Sequence, residues 1–280
     1  MEQDLASIPI MSYACFLRMV TKPQEMAPNL PSGIARVSHR PWPVPSRPWS
    51  VAMRWHDLLF LHWPLRIDSL RPLVPRGLEI ETFEGSGWLG VVPFRMTGVR
   101  PRRIPSLPGL SAFCELNVRT YVTIGGKPGV LFFSLDAESR STVYWARWRF
   151  HLPYYHARMA LRSSYERILY RSARTPARTS AARFVAAYEP GGDPARALAG
   201  SFERWATDRY CLYACDERGG LWRGDIHHLP WPLQAAHAAI EINTMAEPLG
   251  IRLPSIPPRA HFARRLEVVA WSLERVPVVQ

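Results

Sequence analysis

Lysine is almost missing from this 280-residue chain: Lys and Arg together number 35, and only Lys22 and Lys127 are lysine. Chemistry that needs an amine nucleophile therefore has two candidate positions. Long apolar runs are missing too. The most apolar segments are interrupted by Arg, His or Pro, short of the roughly 18 uninterrupted apolar residues that a membrane-spanning helix needs, so no membrane association is predicted. With 4 cysteines the chain is too poor in thiols for a disulfide scaffold at this length. Glu2 and Asp4 stand where a secretory signal would be basic, and Ser12, Cys15 and Arg18 break the apolar run that follows. The cytoplasm is the expected compartment. There is no glycine-rich phosphate loop, no Gly-x-Ser-x-Gly elbow, and no His-Glu-x-x-His or paired-Cys spacing. Neither a cofactor nor a metal is expected.

What is present begins with charge: a formal +12, carried almost wholly by arginine. The arginines are scattered along the chain without forming one basic helix or stripe, which disfavours a nucleic-acid-binding reading. A composition 47 % hydrophobic and 21 % charged is that of a folded protein. Prolines crowd the first 48 residues, as in Pro41-Trp-Pro-Val-Pro45, with no sustained period. Residues 1–47 therefore read as a flexible Pro-rich leader and 48–280 as a single domain. From Val51 onward short apolar runs alternate with Gly and Pro, the pattern of a mainly β protein. Helices are few: Asp68 is a candidate cap for Ser69 to Val74, Asp193-Pro194 for a helix through Leu198, and Ser201 for one through Asp208.

One hairpin is informative. Glu115 to Thr123 alternate apolar and polar, and Gly125-Gly126 forms a two-residue turn before Gly129 to Asp136. That turn sets Leu116 opposite Leu135, Val118 opposite Phe133 and Thr120 opposite Leu131 on a core face. On the other face Glu115 lies opposite Asp136, Asn117 opposite Ser134, and Arg119 opposite Phe132. Neighbours there are roughly 7 Å apart along a strand and about 5 Å across. This second face is either an ordinary solvent side or the wall of a pocket, and Phe132 and Tyr121 upon it favour burial.

The strings WHDLLFLHWPLRIDSLRPLVPRGLEIETFEGSGWLGVVPFRM (55–96), FCELNVRTYV (113–122), GVLFFSLDA (129–137), ARWRFHLPYYHARM (146–159), RYCLYA (209–214) and HHLPWPLQAA (227–236) resemble the YqjF-like family of uncharacterised bacterial proteins. The resemblance runs over about residues 48 to 275 of the chain. It implies the acetoacetate-decarboxylase-like fold: an α+β, mainly antiparallel cone or barrel of strands around a small-molecule cavity, with a few peripheral helices. The decarboxylase carries a Gly-aromatic-Pro-Lys-Lys segment with a Schiff-base lysine, and its counterpart here is Leu152-Pro153-Tyr154-Tyr155-His156. The lysines are gone, so Schiff-base decarboxylation is disfavoured. Glu115 matches an acidic position of the decarboxylase cavity, which turns the polar hairpin face inward.

On that reading a polar pocket takes a small carbonyl or carboxylate compound. Glu115, Arg119, Asp136 and His156 are the catalytic candidates, and Asn117, Ser134, Arg147, Tyr154 and Tyr155 the binding candidates. Lyase, isomerase or hydrolase chemistry without a Schiff base is one alternative, and a non-catalytic small-molecule-binding protein is the other. The sequence is compatible with a homo-oligomer.

Overall fold

The computed structural model describes residues 26–277 except 28, 107–110, 141–142, 145–146, 148–149, 165–166, 176–181 and 217. Thirteen strands are formed among the described residues: β1 Val51–Leu65, β2 Glu79–Ile80, β3 Gly87–Pro101, β4 Phe113–Ile124, β5 Lys127–Ala137, β6 Tyr154–Ser164, β7 Arg167–Arg174, β8 Arg183–Arg196, β9 Cys211–Cys215, β10 Leu221–His227, β11 Pro232–Asn243, β12 Arg259–Ala270 and β13 Glu274–Arg275. They join one sheet in the order β13-β10-β9-β5-β6-β7-β8-β11-β12-β1-β3-β4-β2, and two further pairings, β5–β4 and β10–β12, turn it back on itself. These pairings protect backbone groups that an open edge would expose. Neighbours are antiparallel except β5–β6 and β5–β9. The expected mainly antiparallel fold with few helices is the fold observed. No helix among the described residues is long and apolar enough to cross a membrane.

The central strands are buried on both faces, so alternate residues feed two cores. Leu59, Leu61 and Trp63 of β1 pack with Tyr170 of β7 and Phe184 of β8. Leu58 and Phe60 pack on the other side with Phe94, Leu135 and Trp231. Odd-numbered Met53 and Trp55 also belong to this second core. The alternation is reset at Asp57, whose φ of 53° is left-handed; aspartate tolerates that region better than most residues. Arg264 Nη1 donates to Asp57 Oδ1 at 3.2 Å and holds the bend.

The leader boundary needs correction. Over its described part the N-terminal segment is packed on the domain: Ala27, Leu30, Ile34, Ala35 and Trp49 form a cluster with Val269 and Trp271. Arg40 Nη1 donates to the Ile226 carbonyl at 2.7 Å, and His39 Nε2 to that of His228 at 2.8 Å. Irregular chain can bury side chains one at a time, which no periodicity reveals. Residues 1–25 lie outside the described residues, Lys22 among them.

Of the expected helices, Ser201 does cap Phe202–Thr207, its side chain accepting from the Arg204 amide. Ile67–Leu70 is a single turn whose cap position is Arg66 rather than Asp68. Asp193 and Pro194 lie in β8.

Candidate functional site: one wall of a cavity

Gly125 and Gly126 both have positive φ, 58° and 69°, as a tight turn of this kind requires. From Ile124–Lys127 to Arg119–Phe132 the strands pair as the turn dictates. A register shift then intervenes, so that Val118 pairs with Ser134, Asn117 with Leu135, Leu116 with Asp136 and Glu115 with Ala137. One extra residue turns everything beyond it to the opposite face. The expected Glu115–Asp136 and Asn117–Ser134 pairs are therefore absent, as are Leu116–Leu135 and Val118–Phe133, whereas Thr120–Leu131 is present.

Asp136 goes to a structural cluster. It is fully buried and accepts from Arg174 Nη2 at 2.7 Å and from Nε at 3.1 Å. The Arg174 guanidinium lies 4.0 Å from the Tyr155 ring centroid. Arg147 Nε donates to the Tyr154 carbonyl, and its guanidinium lies 5.3 Å from the Tyr155 ring. His156 Nδ1 meets Thr175 Oγ1 at 2.8 Å. None of Ser134, Asp136, Arg147, Tyr155 and His156 lines the cavity described next.

That cavity, about 160 Å³, lies against the second core, and Glu115, Asn117, Arg119 and Tyr154 are on its wall. The first three recur every second residue along β4, so their side chains follow one another at roughly 7 Å intervals. Glu115 is only 2 % exposed. Burial pushes its carboxyl up to about 8; the Tyr154 hydrogen bond opposes the shift and the charge of Asp136 adds to it. At neutral pH the group is mostly protonated. The Tyr154 hydroxyl donates to Glu115 Oε2 at 2.9 Å, and the Tyr170 hydroxyl donates to the Glu115 carbonyl at 2.7 Å, fixing the strand at this point.

Asn117 is buried with Oδ1 unpartnered. Arg119 sits 5.4 Å from the Phe60 ring and 5.6 Å from Tyr121, its Nε also unpartnered. Gly90 gives it space: a Cβ there would stand 3.3 Å from both Arg119 Cγ and the His62 ring. No ion pair links Arg119 to Glu115 or to any other acid among the described residues. Cys114 and Cys211 are buried free thiols.

The expected polar pocket is in fact mainly apolar, lined by Trp55, Phe94, Phe113, Phe132 and Trp231. Arg209, His228 and Asp225 add to its polar lining. Asp225 is held by Arg223 and by the Trp42 indole, and Arg209 by Glu81. Sequence reasoning gave these three residues no role, although Arg209 and His228 stand in the strings that carry the family resemblance. Lys127 is elsewhere, at the hairpin end with its Nζ 5.9 Å from the Trp42 ring, so no lysine among the described residues lines the cavity.

The closed, mainly antiparallel sheet places the molecule among proteins of the acetoacetate-decarboxylase-like fold. It is similar to the acetoacetate decarboxylase of Legionella pneumophila, with a TM-score of 0.57, 12 % identity, and coverage of 85 % of this chain and 93 % of that one. It is likewise similar to the enduracididine biosynthesis enzyme MppR complexed with pyruvate, with a TM-score of 0.58, 10 % identity, and coverage of 83 % and 92 %. At such identities the likeness is one of fold. The chain itself belongs to the DUF2071 family of uncharacterized conserved proteins, which it matches over residues 52–267. YqjF, an uncharacterized protein of Bacillus subtilis strain 168, is 44 % identical over 232 residues, covering 83 % of this chain and 95 % of that protein.

Proposed function

We propose that the cavity binds a small carbonyl or carboxylate compound with an apolar body, and that Glu115 serves it as a neutral acid. The observation that carries this reading is the buried Glu115 carboxyl on the wall of a mainly apolar cavity, shifted up to about 8 with no ion-pair partner among the described residues. Tyr154 occupies Oε2, so a proton on Oε1 is free to be donated to a ligand oxygen. Arg119 then stabilises negative charge on the ligand, and Asn117 accepts a hydrogen bond through Oδ1. The volume of about 160 Å³ is below the roughly 300 Å³ at which pockets for drug-sized ligands begin, which suits a compound of a few heavy atoms. A protein of the same fold complexed with pyruvate is consistent with that size.

If the protein is an enzyme, Glu115 is the general acid of a lyase-, isomerase- or hydrolase-type reaction without a Schiff base. A second reading, non-catalytic binding, is favoured by the departure of Asp136 from the cavity. The other carboxylate on the wall among the described residues, Asp225, is already committed to Arg223 and Trp42, which leaves no second free carboxylate among them. Ligand-observed NMR with butanone, pyruvate and phenylacetaldehyde tests the site. Saturable binding of at least one, weakened about tenfold or more in Glu115→Leu, is expected; no binding by any, or equal binding by the variant, contradicts the proposal. Turnover of the bound compound separates the two readings.

A further inference from the structure

The arginines are scattered in sequence, yet strands β6, β7 and β8 gather four of them on the outer face of the sheet. Met159, Tyr170 and Phe184 turn inward to the first core, so Arg158 and Arg162 on β6, Arg171 on β7 and Arg183 on β8 point the other way. All four are exposed. Register fixes their spacing: Arg171 pairs with Ala160, which sets it diagonal to both Arg158 and Arg162, and Ala173 pairs with Arg158 on one side and Arg183 on the other. Such diagonal neighbours are roughly 7–8 Å apart. Between the cations stand only the aliphatic side chains of Ala160, Leu169, Ala173 and Val185.

Strands β6 and β7 contain no acidic residue, and Glu166, between them in sequence, lies outside the described residues. The first acid of β8 is Glu189, roughly 20 Å along the strand from Arg183. None of the four guanidiniums has a hydrogen bond or ion pair among the described residues. Charged side chains on an open edge deter edge-to-edge pairing, which accounts for arginine on β6, paired beyond His156 with β7 alone. It does not account for Arg171 and Arg183, whose strands have a neighbour on each side.

We propose that this face binds the phosphate backbone of duplex DNA without reading its sequence, each of the four guanidiniums meeting a phosphate. The inference is independent of the cavity of Glu115 and of what that cavity binds. Guanidinium forks suit phosphate oxygens. Among these arginines there is no hydroxyl or amide to read a base edge or a ribose 2′-hydroxyl. None of the exposed large apolar or aromatic side chains lies on these three strands, so the face offers neither a platform on which single-stranded bases stack nor a group to enter a bilayer. A second copy of the same face would set like charge against like.

The test is fluorescence anisotropy of a labelled DNA duplex of about 20 base pairs titrated with the full chain between about 50 and 200 mM salt. Saturable binding is expected, its log K falling against log salt with a slope of about −3.6 for four phosphate contacts. The double variant Arg158→Gln/Arg171→Gln, both changes being at exposed positions, should keep the melting temperature and bring the slope to about −1.8. Arg66→Gln, an exposed arginine paired with Asp68 elsewhere on the surface, should leave the slope unchanged. Four results overturn the proposal: no saturable binding at the lowest salt, a slope indifferent to the double variant, a single strand bound more tightly than the duplex, or retention on phosphatidylserine vesicles with none on the duplex. The last would make the partner a membrane surface.

Discussion

Glu115 and Asp136 stand at the same end of one hairpin and meet opposite fates. Glu115, buried without a cation, has its carboxyl raised to about 8 from an ordinary 4.5. The folded state holds that proton where the unfolded state has released it, so Glu115 lowers stability progressively as pH rises from about 4.5 to 8. Glu115→Gln keeps an acceptor for Tyr154 and removes the titration. Its melting temperature relative to the unaltered protein should therefore climb between pH 5 and pH 8, by the equivalent of a few kcal/mol; a flat difference would show that the carboxyl titrates normally. Asp136 is instead held by Arg174, and Asp136→Asn leaves that guanidinium buried and unpaired. A loss of about 3–5 kcal/mol in urea unfolding is expected, with cavity binding intact in whatever protein remains folded. The candidate residues Glu115, Asn117, Arg119 and Tyr154 were legible from alternation and resemblance. Asp136 and Ser134 were misassigned because a single bulged residue leaves no mark on the polar–apolar pattern.

The same limit applies among the elements. The Gly125-Gly126 turn and the strand runs were readable because turn chemistry and period-two alternation are local. The bulge at Phe133, opposite the Val118–Arg119 step, and the reset at Asp57 answer to partners distant in sequence, and the Asp193-Pro194 dipeptide lost its helix-opening role to pairing of β8 with β11. Close approach of β5 to β9 is another non-local demand. Gly129 sits where a Cβ would come within 2.7 Å of Cys211 Sγ and the Tyr213 ring, and 2.8 Å of the Cys211 carbonyl. Backbone cannot yield as a flexible side-chain end does. Gly129→Ala should cost about 1–3 kcal/mol, read as a lower urea midpoint; an unchanged midpoint would mean that the two strands separate easily.

For the whole molecule, the mainly antiparallel architecture was legible because short punctuated strands dominate the chain, whereas the packing of residues 26–47 was not, since prolines and scattered apolar residues carry no period. That segment covers Val269 and Trp271 and supplies the Ile34 carbonyl that His227 Nε2 contacts at 2.7 Å. A chain beginning at residue 48 should accordingly unfold at lower urea and bind a hydrophobic dye when native, and one matching the full chain in both would show the segment to be dispensable. The account as a whole depends on Glu115 being a neutral acid that faces a ligand. Its carboxyl carbon, labelled with ¹³C and assigned by loss of the signal in Glu115→Gln, is the most direct probe. A titration midpoint near 8, moved upward by a carbonyl compound that accepts the proton's hydrogen bond, is the expected result. A midpoint near 4.5, indifferent to every such compound, would contradict it.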